Sequence, residues 1–417
     1  MTIYDISEKA GVSIATVSRV LNGSSSVSEK TRRKVLDIIE QCGYTPNAFA
    51  RGLGLNTMKT IGILCADSSD IHLAKAVYHI ERMLRAHGYD SLLCCTGYGL
   101  EEKASSVNLL ITKKVDAIIL VGSNFIYEKE AENRYIADAA AQVPVMLLNA
   151  ELDVPNVYSV LSDDAAATYE ATLQMLRSGV ADILYFYNAH SFSGRRKLSG
   201  FQAAVRDGMH VSDRIPVRDG IPVSDRMPIK DGIPVMDGIP ISDRMPVKDG
   251  IPVKDGIPVK DRIPSGATPQ TEFYQGSHEN IHAMTAHLRT LYEKGPGFHG
   301  VIAADDTLAL AAVKFAVEMG FRIPEEFSIL GYNNSMLTAC CNPELTSIDN
   351  KLETLCQHLI ATLLGVLEGK QMPKKTIFSC ELVRRGTTRP AIADGESNTP
   401  LQATGYQACN AAEQRGI

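Results

Sequence analysis

No stretch of this 417-residue sequence is apolar for the roughly 20 residues that a bilayer-spanning helix needs, so a helical membrane protein is excluded. The first residues enter a polar helical pattern directly, and no signal peptide is expected. Nine cysteines are scattered and none form a CxxC pair; they read as reduced thiols of a cytoplasmic protein, not as a disulfide framework or a zinc site. No P-loop, no GxGxxG after a strand, no GxSxG and no HExxH is found, which removes the usual handles for an enzyme. Neither a cofactor nor a metal ion is expected. The net charge of −6 by itself argues against a nucleic-acid protein.

Positive charge is nevertheless present locally. Residues 1–57 hold seven Lys/Arg (Lys9, Arg19, Lys30, Arg32, Arg33, Lys34, Arg51) against five Asp/Glu (Asp5, Glu8, Glu29, Asp37, Glu40), a surplus of two. Within that head, Thr2 to Asn22 reads as two short helices joined at Gly11. Thr2 is placed to cap the first helix, whose apolar face is Ile3, Ile6 and Ala10. Ser13 is placed to cap the second, which turns Val17, Val20 and Leu21 inward and Ile14, Ala15, Ser18, Arg19 and Asn22 outward. Ser28 caps a third helix, about 29–42, with Val35, Leu36, Ile38 and Ile39 facing the first two, and Gly43 ends it. Geometry alone leaves two readings open: a hairpin that merely packs, and a helix pair shaped for the DNA major groove.

The residues themselves carry more. Tyr4-Asp5-Ile6, Ala10-Gly11-Val12-Ser13 and Thr16-Val17-Ser18-Arg19-Val20-Leu21-Asn22-Gly23 resemble the operator-binding headpiece of the lactose-repressor/galactose-repressor family. The likeness continues through Val27-Ser28-Glu29-Lys30-Thr31-Arg32 and Gly43-Tyr44-Thr45-Pro46-Asn47. It implies a helix-turn-helix domain over 1–45, a hinge helix and linker over 46–58, and a dimeric repressor on palindromic double-stranded operator DNA. Base reading then falls to Ile14, Ala15 and Arg19, the last able to grip guanine O6 and N7 with two parallel hydrogen bonds. Thr2, Tyr4, Ser13, Thr16, Ser18, Asn22, Ser28 and Thr31 become phosphate or positioning contacts, each hydroxyl also reading as an ordinary cap. In the hinge, Asn47, Ala50 and Leu53 match DNA-contacting positions, with Leu53 the minor-groove wedge.

From Lys59 the pattern changes to short apolar runs (Ile61–Cys65, Ser91–Cys95, Ala117–Val121, Val145–Leu148, Ile183–Tyr187, Val301–Ala304, Phe327–Leu330) alternating with helical periods. That alternation predicts doubly wound parallel α/β sheets. The resemblance implies a two-lobed, periplasmic-binding-protein-like core over 59–390. Crossovers near 160, 323 and 349 would give one lobe of 59–159 and 324–348 and another of 160–323 and 349–390. A small effector, of sugar or of nucleoside or purine type, is expected between the lobes at the strand ends. Asp67, Ser69 and Asp70 end the first core strand. Lys197 stands in a motif whose first residue is usually arginine, with Arg195 or Arg196 able to substitute by a shift. Asp306 matches the family's hydroxyl-accepting acid and also reads as a helix N-cap.

Residues 207–264 form a hexapeptide repeat in which nine prolines recur every six residues. It reads as tandem expansion of one native segment, either a flexible or polyproline-like loop or a small solenoid. An effector response altered or lost through this insert is therefore a second expectation. An enzyme or a solute-binding protein on the same core are weaker ones. Residues 391–417 read as a disordered tail.

Overall fold

The computed structural model describes residues 2–21, 24–43, 57–213, 269–276, 280–295 and 297–390. The expected hinge helix, with Asn47, Ala50 and Leu53, lies outside the described residues, as do Asn22, the repeat from 214 onward and the tail.

Three helices come first: α1 (Ile3–Ala10), α2 (Ile14–Leu21) and α3 (Glu29–Gln41). Apolar residues at helical spacing close one small core of Ile6, Ala10, Val17, Val20 and Val35. Leu36 departs from expectation. It is 46% exposed, because the inward stripe of α3 runs through Val35, Ile38, Ile39 and Cys42 and position 36 falls off it. Leu21 sits at the core's edge, only partly buried.

The remainder is α/β. In chain order come β1 (Thr60–Cys65), α4 (Ile71–Ala86), β2 (Asp90–Cys95), α5 (Leu100–Thr112), β3 (Ala117–Val121), α6 (Arg134–Ala140), β4 (Val145–Leu148) and β5 (Val157–Ser162). They are followed by α7 (Asp164–Arg177), β6 (Ile183–Tyr187), α8 (Phe192–Asp213), β7 (Gln270–Phe273), α9 (Ile281–Lys294), β8 (Gly300–Ala303) and α10 (Asp306–Glu318). The described chain closes with β9 (Ser328–Tyr332), β10 (Thr346–Asp349), α11 (Leu352–Leu367), β11 (Lys375–Phe378) and β12 (Glu381–Val383). The strands form two six-stranded sheets, β11-β5-β4-β3-β1-β2 and β12-β10-β9-β8-β6-β7. β12 runs antiparallel to β10. The first sheet is covered by α4 and α11 on one face and by α5 and α6 on the other. The second is covered by α9 and α10, and by α7 and α8. Both-sided burial explains why β1, β3, β4, β6, β8 and β9 read as unbroken apolar runs rather than as alternating ones.

The lobe boundaries need correction. Segment 324–348 was expected in the first lobe, yet β9 pairs with β8 and β10 with β9, so both strands belong to the second sheet. Conversely, α11 and β11 return to the first lobe: Leu355, Leu359 and Leu363 pack with Ile61 and Ile63, and β11 pairs with β5. Strand pairing and helix burial, not distance along the chain, assign these segments. The chain therefore crosses between the sheets after β5, after β10 and after β11.

Helix α8 also departs from its expected span of 196–205. It runs to Asp213, so the first repeat unit, 207–212, continues a helix. The Tyr169 hydroxyl donates to the Asp207 carboxylate at 2.8 Å and ties that stretch to α7. Higher up, α7 and α8 touch backbone to backbone: a Cβ on Gly200 would collide with the carbonyl oxygen of Ala165. Gly200→Ala is expected to lower stability by about 2 kcal/mol through overpacking, read as a fall in the urea unfolding midpoint.

Candidate nucleic-acid interface and interlobe cavity

The headpiece is held by local chemistry. Thr2 and Asp5 form a capping box: the Thr2 amide donates to Asp5 Oδ2 at 2.7 Å, and the Asp5 amide to Thr2 Oγ1 at 3.5 Å. Gly11 turns the corner in the left-handed region, with φ 58°. The Thr16 amide donates to Ser13 Oγ at 3.1 Å, and the Thr31 amide to Ser28 Oγ at 3.3 Å. In both caps the paired hydroxyls lie 2.9 Å apart. Ser13 and Ser28 are thus caps in this structure, and Thr16 and Thr31 supply the capped amides and a hydroxyl partner, at helix N-termini whose amides suit an anion. Ile14, Ala15 and Arg19 share the exposed side of α2, while Thr16 and Ser18 are partly buried. Tyr4 is exposed on α1 and Thr2 precedes it, also exposed.

In the core, a cavity of about 660 Å³ opens between the carboxyl ends of the two sheets. Its first-lobe wall includes Asp67, Asp70 and His72 after β1, Ser123 and Asn124 after β3, and Asn149 after β4. Its second-lobe wall includes Asn188 and Ser191 after β6, Lys197 on α8, and Asp305 after β8. Asn333 and Asn350, at the ends of β9 and β10, complete it. Asp70 caps α4 by accepting from the Leu73 amide at 2.8 Å. Lys197 is buried; its Nζ donates to the Ala304 carbonyl at 2.9 Å and stands 3.6 Å from the Tyr332 ring centre. Burial lowers its pKa, nearby carboxylates opposing.

Of the five expected effector residues, Asp67, Asp70 and Lys197 line the cavity. Ser69 is outside the wall and braces Asp67, donating its amide at 2.8 Å and its hydroxyl at 2.7 Å to Oδ1. Asp306 is a correction. Its carboxylate turns into the protein, accepting from the Ser335 amide and from Ser347 Oγ, each at 2.6 Å. Asp305 stands in the wall instead and caps α10 through the Leu308 amide at 2.9 Å. Arg195 and Arg196 do not replace Lys197: the first meets Glu128 at 3.2 Å, the second Asp163 at 2.9 Å. His72, Ser123, Asn149, Asn333 and Asn350 were not expected. For Ser123, Asn149, Asn333 and Asn350 the only sequence signal is a polar residue just beyond an apolar strand; His72, at the start of α4, has none.

Residues 2–47 match the model for bacterial regulatory proteins of the lacI family. Residues 58–218 match periplasmic binding proteins and the sugar binding domain of the LacI family, and 254–388 a periplasmic binding protein-like domain. An HTH-type transcriptional regulator of Lachnoclostridium phytofermentans is 45% identical over 388 residues, covering 93% of this chain and 99% of the relative. The chain belongs to the LacI family.

It is a DNA-binding transcriptional regulator, and its relatives are regulators, not enzymes. The fold agrees. The lac repressor dimer bound to operator and the anti-inducer ONPF superposes with a TM-score of 0.70 at 21% identity, covering 93% of this chain and 99% of that one. The transcriptional regulator CelR–cellobiose complex gives a TM-score of 0.56 at 20% identity over the same shares. Among the described residues, no helix is long and apolar enough to cross a membrane.

Proposed function

We propose that this regulator is a repressor that holds a palindromic operator as a homodimer, and that a small polar metabolite of sugar or nucleoside type in the interlobe cavity sets its DNA affinity. The observation that carries the reading is the outward side of α2, where Ile14, Ala15 and Arg19 stand exposed on a helix fixed by two capped neighbours. Arginine with small and aliphatic partners is suited to guanine edges and thymine methyls. A cavity bounded by two lobes supplies the coupling: a ligand that favours one lobe arrangement shifts the headpieces with it. The lac repressor neighbour is a dimer on operator, and the CelR neighbour holds cellobiose.

Support for self-association comes from the first lobe. β2 is the free edge of its sheet and exposes Leu92 and Leu93, and the neighbouring α4 exposes Tyr78. An apolar edge of this kind is a liability unless another chain covers it. A gel shift with a palindromic and a scrambled duplex at moderate salt tests the function; equal affinity for both refutes it. Leu93→Asp is expected to weaken self-association about tenfold (about 1.4 kcal/mol), measured by sedimentation, with operator affinity falling in parallel.

A further inference from the structure

The carboxyl ends of β1 and β2 bring two thiols together at the edge of the first sheet. Cys65 and Cys95 are register partners on these parallel strands, and their sulfurs lie 3.9 Å apart. The Thr96 amide donates to the Cys65 carbonyl and the Gly97 amide to the Ala66 carbonyl, each at 2.9 Å, which fixes the strand spacing at the pair. Neighbouring strands stand about 4.7–4.9 Å apart, and disulfides span Cα separations of about 4.4–6.8 Å. The backbone therefore already holds the two residues within bridging range.

The two thiols are unequally placed. Cys65 is fully buried, and burial pushes its thiol up to about 12. Cys95 is exposed. A thiolate, not a thiol, attacks an oxidant, so Cys95 meets the oxidant and Cys65 stands ready beside it. Contact between the sulfurs replaces a bimolecular encounter with a step inside one chain. Cys94 points to the opposite face, against the core that holds Leu64 and Leu120, and serves as the control. Leu93, the register partner of Ile63, shares the face of Cys95 and is exposed on the same edge strand.

We infer that Cys65 and Cys95 form a reversible modification site, closed to a disulfide by a hydroperoxide, and that closure loosens contact with a second copy of the chain along β2. The Cys95 thiolate attacks one peroxide oxygen: an S–O bond forms, the O–O bond breaks, and the departing hydroxide takes up the Cys95 proton as water. The Cys65 sulfur then attacks the Cys95 sulfur: an S–S bond forms, the S–O bond breaks, and the second hydroxide leaves with the Cys65 proton as water. Two thiols lose two electrons, and one hydrogen peroxide becomes two waters. A thiol reductant reverses the change by exchange through a mixed disulfide. Bonding draws the sulfurs from 3.9 Å to about 2.05 Å and turns the Cys95 side chain in from the edge beside Leu93. In a two-fold dimer the change is felt on both subunits. The disulfide is independent of the self-association proposed above; its effect on association rests on that reading.

The test treats the reduced full-length protein with hydrogen peroxide near neutral pH, blocks remaining thiols, and reads non-reduced peptides by mass spectrometry. The expected product is a Cys65–Cys95 link within one chain, two hydrogens lighter than the free pair and lost on adding dithiothreitol. It is expected to persist in Cys94→Ser and to be absent from Cys95→Ser, a change at an exposed position that leaves the core intact. Sedimentation is expected to show a dimer dissociation constant about threefold or more higher after oxidation, restored by dithiothreitol and unresponsive to peroxide in Cys95→Ser. A link between the Cys95 residues of two chains, a Cys95 sulfinic acid without the link, or no reaction overturns the proposal. So does a link that leaves association unchanged. A reduced protein that stays monomeric refutes the self-association reading and with it the effect on association; the linked peptide then decides the thiol site.

Discussion

Arg19→Ala is expected to weaken operator binding roughly 5- to 150-fold, a loss of about 1–3 kcal/mol, and to relax sequence preference at one base pair of each half-site. The direction follows from what Arg19 does and does not touch. Val17 and Val20 on the same helix are buried in the headpiece core, whereas Arg19 is exposed beside Ile14 and Ala15. Removing an exposed side chain outside the core should change stability by less than about 0.5 kcal/mol, so lost binding reports on DNA rather than on folding. Arg19→Lys separates charge from geometry. Lysine keeps the phosphate attraction but lacks the planar fork that grips guanine O6 and N7 together. It is expected to bind scrambled DNA like the native protein while discriminating the operator less. Fluorescence anisotropy on matched and scrambled duplexes, with a footprint at fixed salt, measures both. An unchanged footprint for Arg19→Ala removes the assigned role.

The headpiece was legible because its signals are local. A threonine, a glycine and a serine at fixed offsets dictate two caps and a corner, and all three act as their chemistry requires. The central first-lobe strands β1, β3 and β4 were legible for a related reason: runs buried on both faces leave an unbroken apolar mark. What failed depended on long-range pairing. Nothing local in Ser328–Tyr332 says that it pairs with β8 rather than with a strand of the first sheet. Leu36 shows the same limit at a smaller scale, since one position around α3 separates a core residue from a surface one. The strands after Tyr332 were passed over because β10, β11 and β12 have only three or four residues each and, unlike the equally short β4 and β8, mix polar with apolar residues. Runs that short carry little periodicity.

The pair Asp305-Asp306 is the sharpest case, and it yields the second large effect. Two adjacent acids at a helix start point about 100° apart, and the sequence pattern does not say which enters the cavity. In the structure Asp306 is buried and accepts from the Ser335 amide and Ser347 Oγ, joining the turn after β9 to β10. Asp306→Ala leaves the buried Ser347 hydroxyl and the half-buried Ser335 amide without this acceptor, and at roughly 1–3 kcal/mol for a buried group the expected cost is about 2–3 kcal/mol. Burial is also the main force on its acidity, raising the carboxyl from 3.8 to about 6 against the two hydrogen bonds that favour the ionised form. A carboxyl whose folded pKa lies above its unfolded value binds its proton more tightly in the folded state. Its stabilising contribution is therefore complete below about pH 4 and is lost as pH rises through about 6. Asp306→Asn cannot ionise. The native protein is accordingly expected to lose about 2–3 kcal/mol relative to this variant between pH 4 and pH 7, measured by urea unfolding across that range. A pH-independent difference, together with a lost effector response in Asp306→Asn, would return this residue to the ligand site and move Asp305 out of it.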